Sequence, residues 1–323
     1  MPLFPYLEIF KKAYTLARSH TWLWVFGLFL SGTSTLNSGI FNLVVHKPAF
    51  YDPETLRKIY DSFLGLGSGR MELFFIIAAG VLVLSFLFIA LAALAFASII
   101  CATAKFTNPQ PGKEDVSLRG ALAAGRKFFW RILGLQILIT SGFAALTVVL
   151  ASPVVFLFGI GALDRALALL LLALAIFIPA SFVFGFLHLY GPIFVVLYDR
   201  TIKEALILSF NLLRNKFKES IIMSAFLVGL SLLFIIGVIF SIIVLSLPFA
   251  LLIWLAAKLQ VALLAQILTG IIILLSTIIA VGLNAGFAVF QSISWVLAVQ
   301  EMVRTLKLQK EEKALAPEAA GAE

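Results

Sequence analysis

Residues Gly191 to Lys218 read Gly-Pro-Ile-Phe-Val-Val-Leu-Tyr-Asp-Arg-Thr-Ile-Lys-Glu-Ala-Leu-Ile-Leu-Ser-Phe-Asn-Leu-Leu-Arg-Asn-Lys-Phe-Lys. The apolar run up to Tyr198 is the end of a membrane-spanning helix, and Asp199-Arg200 marks its exit. Thr201-Ile-Lys-Glu204 has the spacing of a capping box, in which a hydroxyl and a carboxylate three residues on satisfy free helix donors. A short surface helix is predicted from Thr201 to Asn215. Its small residues Ala205 and Ser209 lie one turn apart, so it can sit close to a span, while Glu204, Asn211, Arg214 and Lys218 face solvent and headgroups. The chain then turns back into the bilayer near Phe217.

Composition places the whole chain in that setting. Of 323 residues, 62% are hydrophobic and 12% charged. Soluble domains average about 45–50% apolar and about 25% charged residues. Several apolar runs exceed the roughly 20 residues that cross a bilayer. The net charge of +8 fits the Lys and Arg excess that orients membrane proteins, and no nucleic-acid partner is expected. Cys101, the single cysteine, forms no internal disulfide and sits in an apolar run as a small hydrophobe.

Six spans are expected: Trp22 to Val45, Leu73 to Ala104, Phe129 to Phe158, Ala166 to Tyr198, Ser220 to Leu247 and Leu268 to Val303. A cleaved signal peptide is the rival reading of the first. Pro248 is expected to stop the fifth span. Phe249 to Gln266 then reads as a re-entrant or interfacial hairpin, because Lys258 at its middle opposes a crossing. Residues 46–72 form a polar loop whose Gly65-Leu66-Gly67-Ser68-Gly69 is a linker, with no Lys-Ser/Thr to cradle phosphate. Gly159 to Arg165 is a tight turn, and residues 304–323 form a polar, disordered tail.

Charge orients the spans. With six crossings, 18 of the 24 Lys and Arg fall on one side; the other side has Lys47, Arg57, Lys58, Arg70, Arg165 and Lys258. Basic loops stay inside, so both termini are expected in the cytoplasm.

Two further cytoplasmic helices resemble Thr201–Asn215. Leu3 to Ser19 puts Leu3, Leu7, Phe10, Tyr14 and Ala17 on one face, with Glu8, Lys11, Lys12, Thr15 and Arg18 on the other; Glu8 and Lys12 are spaced as an i,i+4 pair. Ser117 to Arg126 is the second. Each leads through polar or basic residues and an aromatic into a span. The chain thus reads as an all-α polytopic membrane protein with six transmembrane helices and three amphipathic interfacial helices. It forms one membrane domain over residues 1–303, in repeats of about 3–105, 106–198 and 199–303.

Pro192, Tyr198-Asp199, Glu204-Ala205, Ser209, Leu212 and Arg214-Asn215-Lys216-Phe217 resemble a pattern in the membrane domain attached to some prokaryotic glycerophosphodiester phosphodiesterases, and in related six-span families. The likeness is sharp over about residues 191–225. The soluble catalytic domain of those enzymes is absent from this sequence, so no catalytic residue carries over. The resemblance implies a bacterial or archaeal plasma membrane.

No carboxylate falls in the middle of a predicted span, and the histidines His20, His46 and His188 are far apart in sequence. Ion-coupled carriers usually place ionisable groups at mid-membrane. No catalytic, cofactor-binding or metal-binding residues are therefore assigned, and no cofactor is expected. His188 is the one ionisable group well inside a span. It joins Asn37, Gln136 and Asn284 as candidate polar intramembrane contacts, with Thr140 and Gln291 beside them. Such residues either hold helices together or line a path, and a shared cavity would favour the path. Lys11, Lys12, Arg126, Lys127, Lys216 and Lys218 are candidate contacts for anionic lipid headgroups. The leading expectation is a non-enzymatic scaffold or lipid-interacting protein; the rival is a transporter or channel for a small or lipidic solute.

Overall fold

A computed structural model of the chain describes residues 4–31, 68–107, 117–259 and 261–320. The described residues form helices and short connections, with no strand among them. They are α1 (Tyr6–Ser19), α2 (Thr21–Ser31, opening in a 3-10 turn), α3 (Ser68–Thr107), α4 (Leu118–Gly159), α5 (Leu163–Leu197), α6 (Ile202–Asn215), α7 (Phe217–Lys258) and α8 (Ala262–Ala320). Five of them, α3, α4, α5, α7 and α8, are long and apolar enough to cross a membrane. The expected first span is represented by α2 alone; the rest of it, including Asn37, lies outside the described residues.

The core gathers at one end. Fully buried residues run from Ala93 to Ala102 on α3, Ile132 to Leu135 on α4, Tyr190 to Val195 on α5 and Val289 to Met302 on α8. The same end carries α1, α6 and most of the described basic residues, and is called the basic end here. Toward the far end, α4–α5 and α7–α8 continue as two hairpins whose outward Leu, Ile, Val and Phe are exposed. In lipid such exposure has no hydrophobic cost, and small residues rather than oily ones decide which helices meet.

Glycine marks the closest approaches. A Cβ on Gly27 would run into the Ala285 backbone and lie 2.9 Å from Val289 Cγ2, so α2 rides directly on α8. Gly125 meets Ser98 in the same way between α4 and α3. Gly161, at φ +75°, makes the turn between α4 and α5, inside the stretch read as a tight turn.

Several expectations change. Pro248 does not stop the fifth span: α7 runs through it to Lys258, and α8 starts at Ala262. Phe249 to Gln266 is therefore the tip of the α7–α8 hairpin. Lys258 is at the turn, 5.8 Å from the Trp254 ring, where a charge can reach headgroups. Ser117 to Arg126 is no separate surface helix. Ser117 caps α4 by accepting from the Gly120 amide at 3.2 Å, and the helix continues straight into the span. The chain breaks at His20 and at Lys216, both non-helical, but Lys127 in the corresponding place stays helical. The first and third units share the surface-helix design; the middle one does not.

α6 follows its sequence closely. Thr201 and Glu204 make both halves of the capping box, and Ala205, Ser209, Leu212 and Leu213 are buried. α1 keeps Ala17 of its expected face buried but turns Leu7 and Tyr14 of that face outward. Ile9, Ala13 and Ala17 are buried, against α8 for the most part, while Leu7 and Tyr14 point away, 82% and 57% exposed. α8 is helical through Ala320, over most of the stretch expected as a disordered tail.

Candidate functional site

A cavity of about 480 Å³ lies between α2, α3, α4, α5, α7 and α8. Gln136, His188, Asn284 and Gln291 all line it, joined by Ser31, Ser224, Ser231 and Ser292. The sequence places these groups on five different helices, and the fold brings them to one space. Thr140 is exposed elsewhere, and Asn37 lies outside the described residues.

Helix rise gives the depth of the site. At about 1.5 Å per residue, Gln136 is about 8 Å along α4 from Arg131, His188 about 15 Å along α5 from Tyr198, and Asn284 about 30 Å along α8 from Arg304. The polar groups are thus spread through the roughly 30 Å of a hydrocarbon core. A volume of this size falls in the range of small-molecule sites.

The walls are ordered by their own bonds. Gln291 Nε2 donates to Ser231 Oγ at 2.8 Å, and Ser231 in turn donates to the Leu227 carbonyl at 2.7 Å. Ser292 donates to the Ala288 carbonyl and Asn284 to the Ala280 carbonyl, each at 2.8 Å. Those bonds occupy one donor of each amide and leave the carbonyl oxygens of Gln291 and Asn284 to accept. The Phe234 and Phe287 rings stack at 4.2 Å beside Gln291, tying α7 to α8. At the basic end of the cavity Trp295 contacts Phe186 and Tyr190, and the Tyr190 hydroxyl donates to Ser220 Oγ at 2.8 Å. This cluster packs Trp295 of the cavity wall against α5.

The lining contains amides, hydroxyls and one imidazole, and no Asp, Glu, Lys or Arg among the described residues. Such a set exchanges hydrogen bonds with hydroxyl, ester or amide groups and offers no counter-ion. Leu30, Phe96, Leu189, Leu227, Val228 and Phe287 supply apolar wall. An amphipathic molecule suits both surfaces.

The headgroup candidates divide. Lys11, Lys12, Arg126, Lys127 and Lys218 are exposed at the basic end. Lys127 lies 3.8 Å from Asp199 as well. Lys216 departs from the expectation: its side chain is 8% exposed, and Nζ is 3.3 Å from Glu219. It is the residue that breaks the chain between α6 and α7, and most of its side chain is buried there.

Sequence reasoning missed Ser224 and Ser231. Serine in an apolar span looks bland, but these two are seven residues apart, which puts them on one helix face. That spacing was the available signal.

No protein-family profile, curated protein or solved structure matches this chain.

Proposed function

We propose that this chain is a prokaryotic inner-membrane protein that binds a lipidic solute in its intramembrane cavity, with the basic end and both termini in the cytoplasm. It acts as a non-enzymatic lipid-interacting protein, and movement of the solute through the bundle is the activity that this cavity would serve. The observation that carries the reading is the convergence of Gln136, His188, Asn284 and Gln291 on one half-apolar cavity. Were these residues only glue between helices, each would be expected to spend its polar groups on a neighbour. Among the described residues His188 has no hydrogen-bond partner, and Asn284 bonds only its own helix.

The uncharged lining favours a solute whose polar part carries hydroxyl or ester groups. Moving a bare ion into such a site would cost several kcal/mol, because nothing there replaces its hydration. Exposed Lys11, Arg126, Lys127 and Lys218 support attraction of the basic end to an anionic inner leaflet. The Gln291–Ser231 bond is the one observation that favours a purely structural scaffold.

The test is lipid movement in proteoliposomes containing the full chain, read by chemical quenching of a short-chain fluorescent phospholipid. The His188→Leu, Asn284→Leu double variant should slow movement at least tenfold relative to wild type. Equal rates in wild type, variant and protein-free vesicles would remove the transport activity; equal rates in wild type and variant alone would remove the cavity as its route.

A further inference from the structure

A second cavity, of about 520 Å³, opens at the basic end between α1, α3, α5 and α8. Glu8 and Lys12 from one turn of α1 and Glu301 and Arg304 from one turn of α8 face into it, with Tyr198 and Gln300 beside them. It is not a continuation of the intramembrane cavity. The two share α3, α5 and α8, but on α3 the lining steps from Phe96 to Ala104, and on α5 from Leu189 to Leu197. Between those levels Ile99, Ile100, Ala102, Ile193, Val195 and Val296 are fully buried.

The charges come in both signs and are only partly spent on each other. Arg304 Nη1 lies 3.6 Å from Glu301, a loose contact in which Arg304 keeps most of its surface exposed. Glu8 and Lys12 are spaced to pair, yet no ion pair joins them among the described residues, and both are directed to the cavity. A simple cationic patch for anionic lipid would lack the two carboxylates. A site for a cation alone would lack Lys12 and Arg304.

We propose that this cavity binds a zwitterionic group: an ammonium held by Glu8 and Glu301, and an attached phosphate or carboxylate held by Lys12 and Arg304. The cavity lies at the basic end, where α1 packs on α8, and the same chemistry can arrive there on a lipid or as a free solute. This site stands independently of the intramembrane cavity.

The experiment is calorimetric titration of the full chain in detergent with three probes: phosphoethanolamine, short-chain phosphatidylethanolamine and short-chain phosphatidylglycerol. Saturable binding of a zwitterionic probe is expected, weakened at least tenfold by Glu301→Gln and separately by Lys12→Gln. Lys12→Arg should restore most of it. Binding of free phosphoethanolamine assigns a soluble ligand; binding of the phosphatidylethanolamine alone assigns a lipid. Failure of both zwitterionic probes to saturate overturns the proposal. So does phosphatidylglycerol binding of equal strength that Glu301→Gln leaves unchanged. Lys12 is exposed on α1, so its variants keep the test open even where Glu301→Gln disturbs folding.

Discussion

Gln291 on α8 reaches across to Ser231 on α7, Nε2 to Oγ, at 2.8 Å, and the pair forms part of the wall of the intramembrane cavity. The bond fixes the amide so that its carbonyl can face the cavity. Interhelical bonds of this kind contribute roughly 0.6–2 kcal/mol. Gln291→Leu and Ser231→Ala should each lower the unfolding free energy by about that much. The double variant should lose less than the sum of the two. Additive losses in a double-mutant cycle would show that the contact carries no coupling.

Close helix approach gives a sharper prediction. Gly27 has no room for a Cβ against Ala285 and Val289. Gly27→Val should cost about 1–3 kcal/mol, the usual range for forcing extra carbon into a packed contact. Gly237→Ala is the control, since nothing lies within 4 Å of its added carbon. Thermal melts of the two variants in the same detergent should separate clearly, with Gly237→Ala at or above wild type, since alanine favours a helix interior over glycine.

Lys216 and Lys218 are neighbours in sequence with opposite expected effects. Lys216 is buried against Glu219, so Lys216→Ala should lower stability by about 1.5–3 kcal/mol, as loss of a charged hydrogen bond does. Lys218 is exposed, so Lys218→Ala should leave the melt unmoved and weaken association with anionic vesicles. Vesicle sedimentation and a melt on each variant would check both halves. Swapped effects would place Lys216 at the headgroups after all.

Asp199 accepts from Arg131 Nη1 at 2.6 Å while its own backbone sits at φ 47°. Asp tolerates that left-handed conformation better than most residues. Both groups are about half exposed, so the ion pair itself contributes roughly 0–1 kcal/mol. Asp199→Ala loses the pair and keeps a strained Cβ; Asp199→Gly loses the pair and relieves the strain. The glycine variant should therefore melt above the alanine variant, by an amount on the order of 1 kcal/mol.

These sites show what sequence reasoning reaches. Local chemistry was readable: the Thr201–Glu204 box, the small face Ala205 and Ser209, and the Gly159–Arg165 turn all depend on residues within a few positions of one another. The polar set could be named but not placed, because His188 on α5 and Asn284 on α8 meet only through packing that depends on their partners. Lys216 is drawn to Glu219 one helical turn on, a placement that its charge alone does not reveal. Pro248 misled for a different reason. A proline removes one backbone bond, but a long helix in a membrane setting can absorb that loss and continue. Part of the expected α1 face turns outward, because beside a membrane oiliness does not require burial. Leu7 and Tyr14 are free to meet lipid, while the smaller Ala13 and Ala17 allow close contact with the bundle.

The central claim is that the intramembrane cavity is occupied by a lipidic solute. Ala288 is on its wall, and a tryptophan there would fill much of about 480 Å³. The direct measurement is equilibrium binding of a short-chain fluorescent phospholipid to the full chain, wild type against Ala288→Trp, with matched melts confirming that both are folded. Saturable binding by wild type, weakened at least tenfold in Ala288→Trp, is the predicted result; equal binding by the two would contradict it.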